Sequence, residues 1–106
     1  MRQLYQIVFY VPENYLEMTK EAMFAAGAGK VGNYDRCCWQ VLGQGQFRPN
    51  AEAQPFIGNS QQLEQLAEYR VEMVCAAEYI KEAIAALRQA HPYEEPAISC
   101  WRIEAL

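Results

Sequence analysis

Apolar positions recur along this 106-residue chain in two rhythms, one of period two and one of period three to four. "LYQIVFYVP" is a run of β-branched and aromatic residues that stops at Pro12, and it predicts a first strand of about nine residues or fewer. "ENYLEMTKEAMFAAGAG" follows with good helix formers, Glu13 and Glu17 near the positive end of the dipole, and Leu16, Met23 and several alanines on one side. Gly27 and Gly29 are expected to terminate that helix. "YDRCCWQVL" reads as a second strand running to Gly43, and "GQGQFRP" as a glycine-rich bend or hairpin piece ending at Pro49. From Pro49 to about Leu66 the chain is polar and irregular, its longest connection. "EYRVEMVCA" sets Val71, Met73 and Cys75 against Arg70, Glu72 and Val74, as a strand with one buried face would. In "AEYIKEAIAALRQA" the spacing of Ile80, Ala83, Ile84 and Leu87 lays one apolar stripe along a second helix, which Pro92 ends. "AISCWRIEAL" supplies a last strand with Ile98, Cys100, Arg102 and Glu104 on one face and Ser99, Trp101 and Ile103 on the other.

The order is β-α-β-β-α-β, and its halves repeat: Val11 falls on Cys75, Tyr15 on Tyr79, Leu16 on Ile80 and Met23 on Leu87. That pattern predicts an α+β, ferredoxin-like sandwich in which a four-stranded antiparallel sheet carries both helices on one face. Residues 1–106 are expected to form one domain, since a chain of this length has room for a single core. The other sheet face has no cover from its own chain. Apolar residues expected there, among them Phe9, Val11, Trp39 and Trp101, would form an exposed patch unless another subunit packs on it, so a homo-oligomer is expected.

Composition narrows the partners. With 52% hydrophobic and 21% charged residues the chain is that of a folded protein. Its net charge of -4 and lack of a basic patch disfavour nucleic acid and anionic membrane surfaces alike. Four cysteines are present, but Cys37 and Cys38 are adjacent and cannot close an unstrained disulfide within a strand. The first residues, "MRQLYQIVFYVP", lack the features of a signal peptide, and a cytoplasmic setting with reduced thiols is expected.

Two stretches carry candidate chemistry. "GAGKVG", Gly27 to Gly32, fits the dinucleotide fingerprint letter for letter. It follows a helix and precedes a strand, however, the reverse of the order in which amides at a helix start could hold phosphate, so it reads as a helix stop and a turn. "HPYEEPA", His91 to Ala97, places the single histidine beside a phenol and two carboxylates. His91, Tyr93, Glu94 and Glu95 could fix a ligand, with Gly29, Asn33 and Tyr34 as the facing wall of a cleft. A divalent metal would need further ligands, for which Cys37 and Cys38 are the candidates beside His91 and Glu94. Both helices are expected to run the same way, which would bring the loops at their C-terminal ends together, and the alternation of a strand would admit only one of the cysteines. A purely structural role for His91 and the two prolines is the plainer alternative. No nucleophile, base and orienting group stand out, so catalytic residues are not expected and the chain is not expected to be an enzyme.

Taken in order, "GAGKVGNYDRCCW", "GQGQFRPNAEAQPFIG", "YRVEMV" and "AHPYEEPA" resemble the domain inserted in many bacterial Nif-three-like proteins, here as a stand-alone chain. The resemblance runs from about Leu4 to Trp101. That inserted domain is similar to the PII signalling proteins and to the CutA family, so the resemblance implies a ferredoxin-like fold and a trimer. It also implies a module binding a small molecule or a protein partner between subunits, or, as in CutA, a metal through Cys37, Cys38 and His91. The paired metals of the Nif-three-like family belong to its main domain, and one histidine cannot rebuild that site.

Overall fold

A computed structural model describes residues 3–104. Its elements follow the expected order: β1 (Leu4–Val11), α1 (Glu13–Ala25), β2 (Trp39–Phe47), β3 (Glu64–Ala76), a short 3-10 turn, α2 (Ile80–Ala90) and β4 (Ile98–Ile103). The sheet order is β2-β3-β1-β4 and every neighbouring pair is antiparallel.

The core lies between this sheet and the two helices. Ile7, Phe9 and Val11 of β1 alternate inward beside Val71, Met73 and Cys75 of β3. Leu16 and Met23 of α1 and Ala83 and Leu87 of α2 close over them, at the three- and four-residue spacing of a helix face. Thr19, fully buried on the same face of α1, has no hydrogen-bond partner for its hydroxyl among the described residues.

Phe9 and Val11 therefore do not belong to the open face, as expected above, but to the covered one. The uncovered face is set by the other parity of β1, with Gln6 opposite Val74 and Trp101 and Val8 opposite Glu72 and Ser99. Trp39 sits opposite Glu72 and Val41 opposite Arg70, so Trp39, Val41 and Trp101 share this face, and all three are exposed. A polar stripe divides them: Arg70 donates to Glu72 and to the Tyr10 hydroxyl, and Gln6 reaches the other oxygen of Glu72.

α1 ends in a Schellman turn, in which the Ala28 N–H donates to the Met23 carbonyl and the Gly27 N–H to the Phe24 carbonyl. Gly27 holds φ at 110° there, and a Cβ on it would run into the Tyr79 ring at the start of α2. "GAGK" is thus a helix stop, with its back to the next helix.

Three features differ from the sequence reading. β2 begins at Trp39, because Tyr34 to Cys38 are drawn into a turn: Val31 pairs with Tyr34 and the Cys37 N–H donates to the Gly29 carbonyl. β2 is shifted along the chain to end at Phe47, since the glycine-rich segment is strand and not bend, and β3 is longer than expected, starting at Glu64. Gly45 is needed in that strand because the Glu68 side chain lies across it, where a Cβ on Gly45 would collide with the carboxylate. Beyond Tyr69, which pairs with Val11, β3 has only β2 as neighbour, and the two form an arm that stretches the molecule to 47 Å against 24 and 22 Å across. Finally, the helices are antiparallel, because each returns from a strand of opposite direction. The C-terminus of α1 meets the start of α2, and the C-terminus of α2 meets the start of α1.

Candidate functional site

Helix α2 stops at His91, whose φ and ψ of -72° and 135° already belong to extended chain ahead of Pro92. Its imidazole is buried and both ring nitrogens are engaged. The Tyr93 N–H donates to Nδ1 at 3.2 Å, so the proton sits on Nε2, which donates to the Tyr10 carbonyl at 2.6 Å. Burial pushes the His91 pKa below its ordinary value, against smaller opposing effects of that hydrogen bond and of Glu68. A neutral histidine with no free lone pair is a structural strut, not a metal ligand.

The strut places Tyr93 against the arm. The Tyr93 ring packs edge-on to His91 at 4.7 Å and beside Phe47 at 6.4 Å, and its hydroxyl donates to Glu68 Oε2 at 2.7 Å. Burial, and then the Glu68 carboxylate, push the phenol pKa upward, so Tyr93 stays a donor. The 48–63 loop folds back over this corner. Its neck is closed by the Gln61 N–H to the Pro49 carbonyl at 2.6 Å, Phe56 packs on Tyr15 at 5.5 Å, and the Gln54 N–H donates to Glu94 Oε1 at 3.0 Å. Between arm, loop and "HPYEEPA" lies a pocket of about 440 Å³ with Tyr10, Phe47 and Tyr93 as walls and Glu68, Glu94, Glu95 and Arg48 among its lining. Size and aromatic walls are those of a small-molecule site.

Of the sequence candidates, Tyr93, Glu94 and Glu95 line this pocket and His91 braces it. Gly29, Asn33, Tyr34, Cys37 and Cys38 lie elsewhere. The Gly29 N–H donates to Val74, whose partner on β1 is Gln6, whereas His91 contacts Tyr10; four strand residues span roughly 13 Å. The expected cleft between "GAGKVG" and "HPYEEPA" is therefore not formed within one chain, because antiparallel helices put the two segments at opposite ends of the sheet. The Cys37, Cys38, His91 and Glu94 metal set fails for the same reason, and among the described residues no group of three or more His, Cys, Asp or Glu side chains could hold a metal ion. Cys75 is buried, and burial pushes its thiol up to about 11.

Tyr10, Gly45 and Glu68 were not among the candidates. Glu68 looks in sequence like a solvated charge at the start of a strand, and only its lie across Gly45 would have marked it. Phe47, Pro55 and Phe56 also line the pocket, and Phe47 and Phe56 pack against residues of their own chain as well.

The fold defines a class: a ferredoxin-like α+β domain whose structural neighbours include CutA and GlnK. CutA from Xylella fastidiosa matches at a TM-score of 0.70 and 17% identity over 96% of this chain and 85% of its own. The Bacillus subtilis GlnK–ATP complex matches at 0.62 and 9% over 96% and 84%. At such identities the likeness is one of fold alone. A narrower likeness is to a Bacillus cereus protein related to NIF3, at a TM-score of 0.83 and 32% identity over 98% of this chain and 26% of that one. A GTP cyclohydrolase 1 type 2 homolog of Mycobacterium tuberculosis is 46% identical over 96 residues, 91% of this chain and 25% of the relative. The chain is thus a homologue of a domain-sized part of Nif-three-related proteins, and it spans about a quarter of the length of the curated relatives it matches. No family model matches it. No helix among the described residues is long and apolar enough to cross a membrane.

Proposed function

We propose that this chain is a non-enzymatic, self-associating PII-like/CutA-like module that binds a small ligand or a protein partner in its clefts, with a trimer as the assembly its resemblance implies. The observation that carries the reading is the uncovered sheet face, where Trp39, Val41 and Trp101 stand exposed with no element among the described residues to shield them. The pocket beside the arm supplies the ligand part of the reading. Catalysis lacks support there, since the one histidine spends both nitrogens on bracing the fold. On this reading the cyclohydrolase of the relatives' name belongs to the three quarters that this chain does not match.

Native mass spectrometry and light scattering of the full chain, purified without chelator and with its metal content measured, test this reading. A metal-free trimer of the 12.2 kDa chain is the expected result. A clean monomer would overturn the assembly, and one zinc or copper per chain that vanishes in Cys37→Ser would restore the metal-binding alternative.

A further inference from the structure

We infer that the pocket between the arm, the 48–63 loop and "HPYEEPA" takes a small organic cation, an ammonium or guanidinium group on an apolar body. This rests on the reading of the chain as a ligand-binding module and names the ligand's chemistry.

Charge and geometry select it together. Glu68 is the anchor: Tyr93 holds its Oε2, while Oε1 lies over Gly45, at the spot a side chain there would take, and accepts no hydrogen bond among the described residues. Glu94 is positioned by the Gln54 N–H, and Glu95 stands exposed at the mouth. Against these three carboxylates the lining has one guanidinium, Arg48, which forms no ion pair among the described residues. Arg70 beyond Tyr10 does not shift that balance, because Glu72 already pairs with it. A phosphate or carboxylate ligand would thus meet net repulsion, whereas a cation gains the carboxylates and the neighbouring rings of Phe47 and Tyr93, the Tyr10 ring being already taken by Arg70. The rings also make room for an apolar body that a bare metal ion lacks, and a pocket of about 440 Å³ admits a ligand of that size.

Isothermal titration of the full chain with phenethylammonium, with uncharged phenethyl alcohol and with ATP is the test. Phenethylammonium should bind, the alcohol about tenfold or more weakly, and Glu68→Gln and Glu95→Lys should each weaken the amine by about tenfold. Thermal melts of both variants confirm folding, and Glu95→Lys, at an exposed position, carries the test if Glu68→Gln is unstable. Equal binding of amine and alcohol, or indifference to both substitutions, overturns the inference. Binding of ATP in place of the amine overturns it too, yet leaves a ligand-binding module standing. Should none of the three bind, the inference falls, while the oligomeric mass still decides the assembly on its own.

Discussion

His91 shows how a residue that looks chemical in sequence can be architectural in space. Its place beside Tyr93, Glu94 and Glu95 was plain, but the two atoms that occupy its nitrogens are backbone groups, and one belongs to Tyr10 at the far end of the sequence. No spacing rule reveals such a partner. The consequence is a pH dependence of defined sign. Because burial lowers the folded pKa below the ordinary 6.5, the unfolded chain binds the proton more readily, so stability is full above that value and falls as pH drops through it. Protonation would also turn Nδ1 into a donor facing the Tyr93 N–H. Thermal melts from pH 7.5 to 5.5, a range assigned to the histidine by its reference pKa, should show the midpoint dropping, and His91→Gln should flatten that slope. An unchanged slope in the variant would remove His91 as its cause.

At the scale of elements, period and punctuation made all six segments legible, and boundaries failed where tertiary contacts decide them. "YDRCCW" has the letters of a strand, yet the Gly29 carbonyl captures Cys37 and delays β2 to Trp39. "GQGQF" has the letters of a bend, yet it pairs with β3 as a strand, and Glu68 leaves no room for a side chain at Gly45. The faces of β1 were illegible for another reason: Ile7, Val8, Phe9, Tyr10 and Val11 are an unbroken apolar run, so parity could not tell the covered side from the open one. The end of α1 offers a clean measurement. Gly27→Ala meets both an unfavourable φ and the Tyr79 ring, while Gly32→Ala, at φ of 56°, meets nothing within 4 Å. Gly32→Ala should cost about 1–2 kcal/mol, a drop of roughly 5–10 °C in the melting midpoint, and Gly27→Ala, which must also displace Tyr79, should lower the midpoint by roughly 5 °C more than that. Equal midpoints would mean that Tyr79 yields freely.

For the whole molecule, the topology reads directly from the sequence, but the direction of the helices was misjudged, and with it the meeting of "GAGKVG" and "HPYEEPA". A sheet in which β1 and β2 both oppose β3 forces α1 and α2 to oppose each other, and so separates the two conspicuous motifs. The open face remains the largest unpaired feature. Trp101→Glu, at a position 45% exposed and remote from the core cluster, should leave the fold intact and shift the assembly towards monomer in light scattering. A variant that keeps the full oligomeric mass would move the interface to another surface.

The sheet order also imposes a timetable. The central strand β1 carries the most apolar segment and precedes the other described elements in the chain, yet its two neighbours, β3 and β4, are reached only with Met73 and Cys100, which flank Ile7 on either side. Local hairpin closure can join β2 to β3 early, but the core must wait for nearly all of the chain. Ile7, Phe9 and Val11 therefore wait for partners that come late, and the docking of β1 between strands made long after it is expected to be the slowest folding event.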